Sequence, residues 1–167
     1  MKQGVIVTGA SSGIGLATVR LLAEKGYGVV GMARSKKPEV LEKYAQWGAV
    51  YSQGDVICAE DRARALKTAQ EAFGNVYALV NVAGVAPKVR ADILEMTEES
   101  YDTVMNINTK GMMFMTQLVA RAMLAQPRGE GLRGAIVNIS SMSAYTSSIS
   151  RGEYCCLLYT SPSPRDA

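Results

Sequence analysis

The 167-residue sequence predicts a doubly wound α/β fold, and three observations carry that prediction. Short, nearly continuous apolar runs alternate with stretches of helical periodicity, the pattern of a parallel sheet buried on both faces. A turn holding three glycines, Gly9, Gly13 and Gly15, ties the first run to the first helix. Distinctive residues follow each run: Gly9, Arg34, Asp55, Asn81 to Gly84, and Ser140-Ser141. Open α/β sheets bind ligands at that rim, and right-handed crossovers give five strands in the order 3-2-1-4-5.

Taken in order, Val5-Ile6-Val7 is β-branched and reads as a buried strand. Thr8-Gly9-Ala10-Ser11-Ser12-Gly13-Ile14-Gly15 follows, and then Leu16, Val19, Leu22 and Ala23 recur at helical spacing. Glycine suits backbone that turns sharply and approaches a ligand with no Cβ in the way. The helix start adds unpaired N–H groups and the positive end of a dipole. The turn therefore reads as a pyrophosphate cradle, although its spacing is not G-x-G-x-x-G. A tight turn without a ligand is the plainer alternative.

Gly26-Tyr27-Gly28 breaks the chain and Val29-Val30-Gly31-Met32 reads as the second strand. Pro38 opens a helix through Trp47, and Ala49-Val50-Tyr51 is a third strand whose run ends near Asp55. Ala63, Leu66, Ala69 and Ala72 mark a helix from Ala59 to Phe73, stopped by Gly74. Ala78-Leu79-Val80 is the fourth strand. Thr97 is expected to cap one long helix running to about residue 125, with Glu98 and Glu99 in its first turn and Pro127 and Gly129 beyond its end. Ala135-Ile136-Val137-Asn138-Ile139 is the fifth strand.

Composition narrows the function. The chain is 48% hydrophobic and 20% charged, with a net charge of +3 that forms no basic stripe, which argues against nucleic acid as a partner. Its apolar runs fall short of the roughly 18 residues that a membrane span requires, and the start lacks a signal-peptide pattern. A cytoplasmic protein is expected. Cys58, Cys155 and Cys156 make no disulfide framework, and Cys58 reads as a small loop residue rather than a nucleophile. With no histidine, Ser-His-Asp hydrolysis and histidine zinc sites are excluded, and no metal is expected. Acid–base chemistry must come from Tyr, Lys, Asp, Glu or Cys.

With these residues in place, the chain over about residues 2–155 resembles the short-chain dehydrogenases/reductases, which have a Rossmann-type sheet. The stretch from Thr8 to Gly15 fits that family's TGxxxGIG turn. The resemblance makes Gly9, Ser11, Ser12, Gly13, Ile14 and Gly15 cofactor-binding residues. Asp55-Val56 matches the pair placed beside adenine, and Asn81-Val82-Ala83-Gly84 is similar to the NNAG motif, with Val82 for its second Asn. Asn108, Ser141 and Tyr154 fall where the family keeps its catalytic asparagine, serine and tyrosine. The subgroup most resembled is the 3-oxoacyl-[acyl-carrier-protein] reductases. A sugar, polyol or steroid alcohol dehydrogenase, or a non-catalytic dinucleotide-binding regulator, stays open.

Cofactor choice is argued from the end of the second strand. NAD-preferring members place a carboxylate there, whereas this sequence has Arg34-Ser35-Lys36-Lys37 with no acid before Glu39. Arginine binds phosphate bidentately, so Arg34 favours NADP(H), with NAD(H) possible and a solvated basic loop the alternative. The resemblance implies hydride exchange with a small-molecule carbonyl. In it Ser141 polarises the oxygen, Tyr154 passes the proton, and Asn108 holds a water. Lys88 and Arg90 could meet an anionic or carrier-bound substrate, a solvated loop being the simpler reading. Met112 to Met115 are expected to pack the long helix, which in the family also forms a subunit contact within homotetramers or homodimers.

Departures are equally legible. The family places a lysine four residues beyond the tyrosine, and here that position is Leu158. Residues 156–166 resemble the in-frame translation of a transposase sequencing adapter. The expectation is therefore an incomplete dinucleotide-binding domain over 1–155 and a non-native tail over 156–167. The parent would be an enzyme, and this chain catalytically incompetent, with the fifth strand left as an apolar edge.

Overall fold

The structure is a computed structural model; it describes residues 2–127, 134–144, 150 and 152–159, with side chains through Cys155. Strands β1 (Gly4–Thr8), β2 (Gly28–Ala33), β3 (Val50–Gln53), β4 (Ala78–Asn81) and β5 (Ala135–Asn138) form one sheet. Its order is β3-β2-β1-β4-β5 and every pairing is parallel. The doubly wound topology expected from the sequence is thus observed. Helices α1 (Gly13–Glu24), α2 (Pro38–Trp47), α3 (Ala59–Phe73), α4 (Glu98–Met105), α5 (Met112–Ala125) and α6 (Gly152–Tyr159) connect or follow the strands.

Burial explains why the central strands read as unbroken apolar runs. Every residue of β1 and β2 is buried, and Ile6, Val7, Val29, Val30, Met32 and Leu79 are wholly inaccessible. Each such side chain contributes roughly 1.5–3 kcal/mol of transfer free energy. β5 is different: it lies at one sheet edge, and Ile136 and Val137 are exposed.

The single helix expected from Thr97 to residue 125 is instead interrupted. Thr97 does cap α4, its Oγ1 accepting the Ser100 N–H at 3.2 Å. Between α4 and α5, however, Asn106–Gly111 forms a π-helical segment. No proline or strongly helix-breaking pair announces it, and Asn108 within it bonds the main chain of Val85. The methionine expectation is also corrected. Met115 packs in the core, whereas Met113 is 63% exposed and Met112 half-buried.

The chain divides into two compact units, Met1–Ala83 with Gly111–Ile139, and Gly84–Lys110 with Ser140–Ala167. The first holds the sheet with α1, α2, α3 and α5. The second holds α4, α6 and the 3-10 turn Met142–Ala144.

Candidate functional site

In the first unit the glycine turn joins β1 to α1 with Gly9 and Gly13 at positive φ, +66° and +49°. A Cβ on Gly9 would sit 2.8 Å from the amide nitrogen of Ala83, so the turn and the segment after β4 touch backbone to backbone. Thr8 fixes that approach: its Oγ1 accepts the N–H groups of Val82 and Ala83, each at 3.1 Å. Gly15 is buried, and a Cβ there would overlap the Gly9 carbonyl.

The α1 start is arranged for an anion. Ser12 is the N-cap in extended conformation and makes no side-chain capping bond. The helical ladder opens with Leu16 N–H donating to Ser12 O at 3.1 Å, so the amides of Gly13, Ile14 and Gly15 precede it. The first turn carries no acidic residue, the space over Gly13 is open, and Ser12 and Ile14 are exposed. These features fit a dinucleotide diphosphate, for which helix N-termini are favourable.

The rim beside the turn is built from β2 and β3. Arg34 Nη1 stands 3.9 Å from Asp55 Oδ2, a surface pair of little intrinsic worth. Asp55 Oδ1 accepts the Ile57 N–H at 3.1 Å, and the Asp55 N–H donates to Asp61 Oδ2 at 2.8 Å. That amide, seconded by Arg64, holds the Asp61 carboxyl below its ordinary value, while desolvation opposes it. Val56 is buried, and its carbonyl accepts Arg62 Nη1 at 2.6 Å. A groove of about 650 Å³ at the outer edge of β3 includes Arg34 and Asp55 together with Arg64, and the glycine turn does not line it.

Asn81 is 3% exposed; its Nδ2 donates to Thr116 Oγ1 and Asn138 Oδ1, each at 2.9 Å, and its Oδ1 has no partner. The amide thus ties β4 to β5 and α5. Ala83 lies against Gly9 as described, and Gly84 begins the second unit.

Within the second unit, the Asn108 side chain bonds both main-chain polar groups of Val85. Its Oδ1 accepts the Val85 N–H at 2.7 Å and its Nδ2 donates to Val85 O at 2.8 Å. Ser141 is half-buried; its Oγ accepts the Ser143 N–H at 3.3 Å, and its carbonyl accepts the Ala144 N–H at 3.0 Å. α6 carries half-buried Tyr154 and packs against that 3-10 turn and against α4. Buried Glu153 accepts from Ser100 Oγ at 2.7 Å, which fixes α6 on α4. Leu158 lies in α6, and residues 160–167 of the expected tail fall outside the described residues. Lys88 and Arg90 are exposed.

Thr8, Tyr44, Tyr51 and Glu153 support these positions without having been singled out from the sequence. Thr8 alone had a local signal, as the first residue of the turn motif. Among the described residues no three His, Cys, Asp or Glu side chains are grouped to hold a metal, and no helix is long and apolar enough to cross a membrane.

Comparisons with known proteins bear on the family and the fold. The chain is 34% identical over 146 residues to 2-dehydro-3-deoxy-D-gluconate 5-dehydrogenase of Dickeya dadantii, covering 86% of this chain and 55% of that protein. It is 35% identical over 156 residues to 3-hydroxyacyl-CoA dehydrogenase type-2 of Drosophila melanogaster, covering 89% and 61%. The chain thus spans little more than half the length of these relatives. A 3-oxoacyl-[acyl-carrier protein] reductase from Brucella melitensis, solved with NAD, superposes with a TM-score of 0.87 at 32% identity, over 95% of this chain and 63% of that one. An actinorhodin polyketide ketoreductase solved with NADPH gives 0.84 at 29% identity, over 95% and 60%. The family model described as short chain dehydrogenase matches residues 3–156, and with the parallel sheet and glycine turn in place the chain belongs to that oxidoreductase family.

Proposed function

We propose that the protein is an NADP(H)-dependent oxidoreductase that interconverts a carbonyl and an alcohol, closest in role to the 3-oxoacyl-[acyl-carrier protein] reductases. The observation that carries this reading is the glycine turn, whose Gly9 approaches Ala83 while the space over Gly13, at the start of α1, is open. The dinucleotide, when bound, supplies or accepts the hydride. Gly9, Ser11, Ser12, Gly13, Ile14 and Gly15 would hold its diphosphate, and Asp55, Val56, Asn81, Ala83 and Gly84 would shape the nucleoside end. Arg34 with Lys36 and Lys37, all exposed, would take a 2′-phosphate.

In this reading Ser141 polarises the substrate oxygen and Tyr154 exchanges its proton. The family resemblance places a lysine four residues beyond the tyrosine, and this chain has Leu158 there. On that ground the 167-residue chain is proposed to bind nucleotide without turning over, and reductase activity is assigned to the whole protein. Asn108 would hold the water, its carboxamide keeping a second N–H and a second lone pair beyond the two bonds to Val85 that fix its place.

Exposed Met113 and Phe114 on α5 favour a homodimer or homotetramer, and exposed Lys88 and Arg90 suit an acidic carrier. A cytoplasmic location belongs to the same proposal. Leu158 specifically favours a second reading, a dinucleotide-binding protein that does not catalyse. Calorimetry of the chain with NADPH and NADH tests the nucleotide reading, and heat from neither overturns it. Sequencing the gene across codon 158 and assaying its full product on acetoacetyl thioesters, sugars and simple ketones separates the substrate classes.

A further inference from the structure

We infer that Tyr44 and Tyr51 are positioning residues for dinucleotide recognition. Tyr44 holds the glycine turn, and Tyr51 couples that turn to the Arg34 rim and so sets the preference between NADPH and NADH. The second part rests on the NADP(H) reading proposed above. Both tyrosines and everything they touch lie within the first compact unit.

Tyr44 projects from α2 into the core and is 2% exposed. Its hydroxyl donates to the carbonyl of Ala10 at 2.7 Å, inside the glycine turn. The Ala10 N–H donates to Met32 O on β2 at 3.2 Å, so this one residue of the turn is held from two elements. Room for the phenol exists because residue 31 is glycine, where a Cβ would overlap the Tyr44 hydroxyl.

Tyr51 comes from β3 and meets Tyr44 edge to face, with ring centroids 5.0 Å apart at 82°. Its hydroxyl donates to Ser35 O and lies 3.4 Å from Ala33 O. Ala33 and Ser35 flank Arg34, while the Tyr44 ring that Tyr51 packs against is tied to Ala10 of the turn. The paired phenols therefore link both segments that would contact the dinucleotide. Arg34 needs this support, because its own side chain is 62% exposed and only distantly paired. Its main chain is held by neighbours, with Gln53 Nε2 donating to Arg34 O at 3.1 Å. A tyrosine strut is effective because two torsions fix the whole ring, and a buried carbonyl deprived of its donor is penalised.

Tyr51→Phe and Tyr44→Phe keep the rings and remove only the hydroxyls. Hydrogen exchange without nucleotide reads the mechanical part: Y44F is expected to raise exchange over residues 9–15, and Y51F over 33–37 as well. Titration with NADPH and NADH reads the specificity part. Y51F is expected to weaken NADPH about fivefold to tenfold, the scale of one hydrogen bond, with NADH changed less than about twofold. Y44F is expected to weaken both alike. Unaltered exchange over 33–37 in Y51F, or equal weakening of the two dinucleotides, overturns the role of Tyr51. Y51F also decides the coupling should Y44F not fold. R34A serves as the control: if it leaves the NADPH-to-NADH ratio intact, the NADP(H) reading fails whatever Y51F does. A chain that binds neither dinucleotide overturns that reading and the preference with it, and the exchange data alone then judge the strut.

Discussion

Thr8 Oγ1 accepts the Ala83 N–H at 3.1 Å, joining the last residue of β1 to the segment beyond β4. Because the same oxygen also takes the Val82 N–H, one hydroxyl satisfies two amides of the candidate site. Thr8→Val keeps the shape and strands both donors. It is expected to lower stability by about 1–3 kcal/mol, read as a shift in urea midpoint, while Thr8→Ser stays within about 1 kcal/mol of the parent.

Gly9 and Gly13 share a left-handed conformation but not an environment. Alanine at either position bears a strain of about 1–2 kcal/mol. Only Gly9→Ala adds a collision, at 2.8 Å from Ala83, whereas Gly13 faces open space. G9A should therefore be the more destabilised in thermal unfolding and should lose nucleotide binding. G13A should fold nearly normally and lose binding only through the obstructed cradle.

Asn108→Asp separates the two halves of the clamp on Val85. The carboxylate can still accept the Val85 N–H but now opposes Val85 O, where the amide donates at 2.8 Å. A loss of about 2 kcal/mol is expected at neutral pH. It should be partly recovered below about pH 4, where a protonated carboxyl can donate again. Chemical denaturation at two pH values checks both statements.

Asp61 sets an acid limit on the rim. Its folded pKa is depressed below the ordinary 3.8, chiefly by the Asp55 amide. The unfolded chain therefore takes up a proton first, and the stabilisation is present above 3.8 and lost as pH falls through the lower folded value. The advantage of the parent over Asp61→Asn in melting temperature should shrink across that window. The group is nearly at the surface, so added salt should reduce the difference.

Tyr44 sets the alkaline limit. Burial, with a smaller effect from Tyr51, raises its phenol above the ordinary 10.0. The folded state thus resists ionisation, and the stabilisation is present below pH 10.0 and is lost as pH rises towards the raised folded value. Tyr44→Phe should unfold less steeply with alkali than the parent, as followed by circular dichroism, even if it is weaker at pH 7.

Elements with local chemical signals were legible in the sequence. Pro38 opens α2 and Gly74 closes α3 where expected, and the glycine turn sits between β1 and α1. Residues joined across long stretches of chain were not. The Tyr44–Ala10 bond spans 34 positions and the Asn108–Val85 clamp spans 23, so no window of sequence holds both partners. The π segment was hidden too, its residues being individually compatible with an ordinary helix. At the candidate site, the turn and Asp55 could be picked out as motifs, whereas the side chains that hold them in place could not.

The central place of β1 has a consequence for synthesis on the ribosome. Residues 4–8 emerge before both of their partners and gain one neighbour when residues 28–32 follow, but the other flank pairs only with residues 78–80. A wholly buried strand thus waits through some seventy further residues with a sticky side uncovered. Translation speed and chaperone capture over that interval should govern the yield of native protein more than any single contact in the finished sheet.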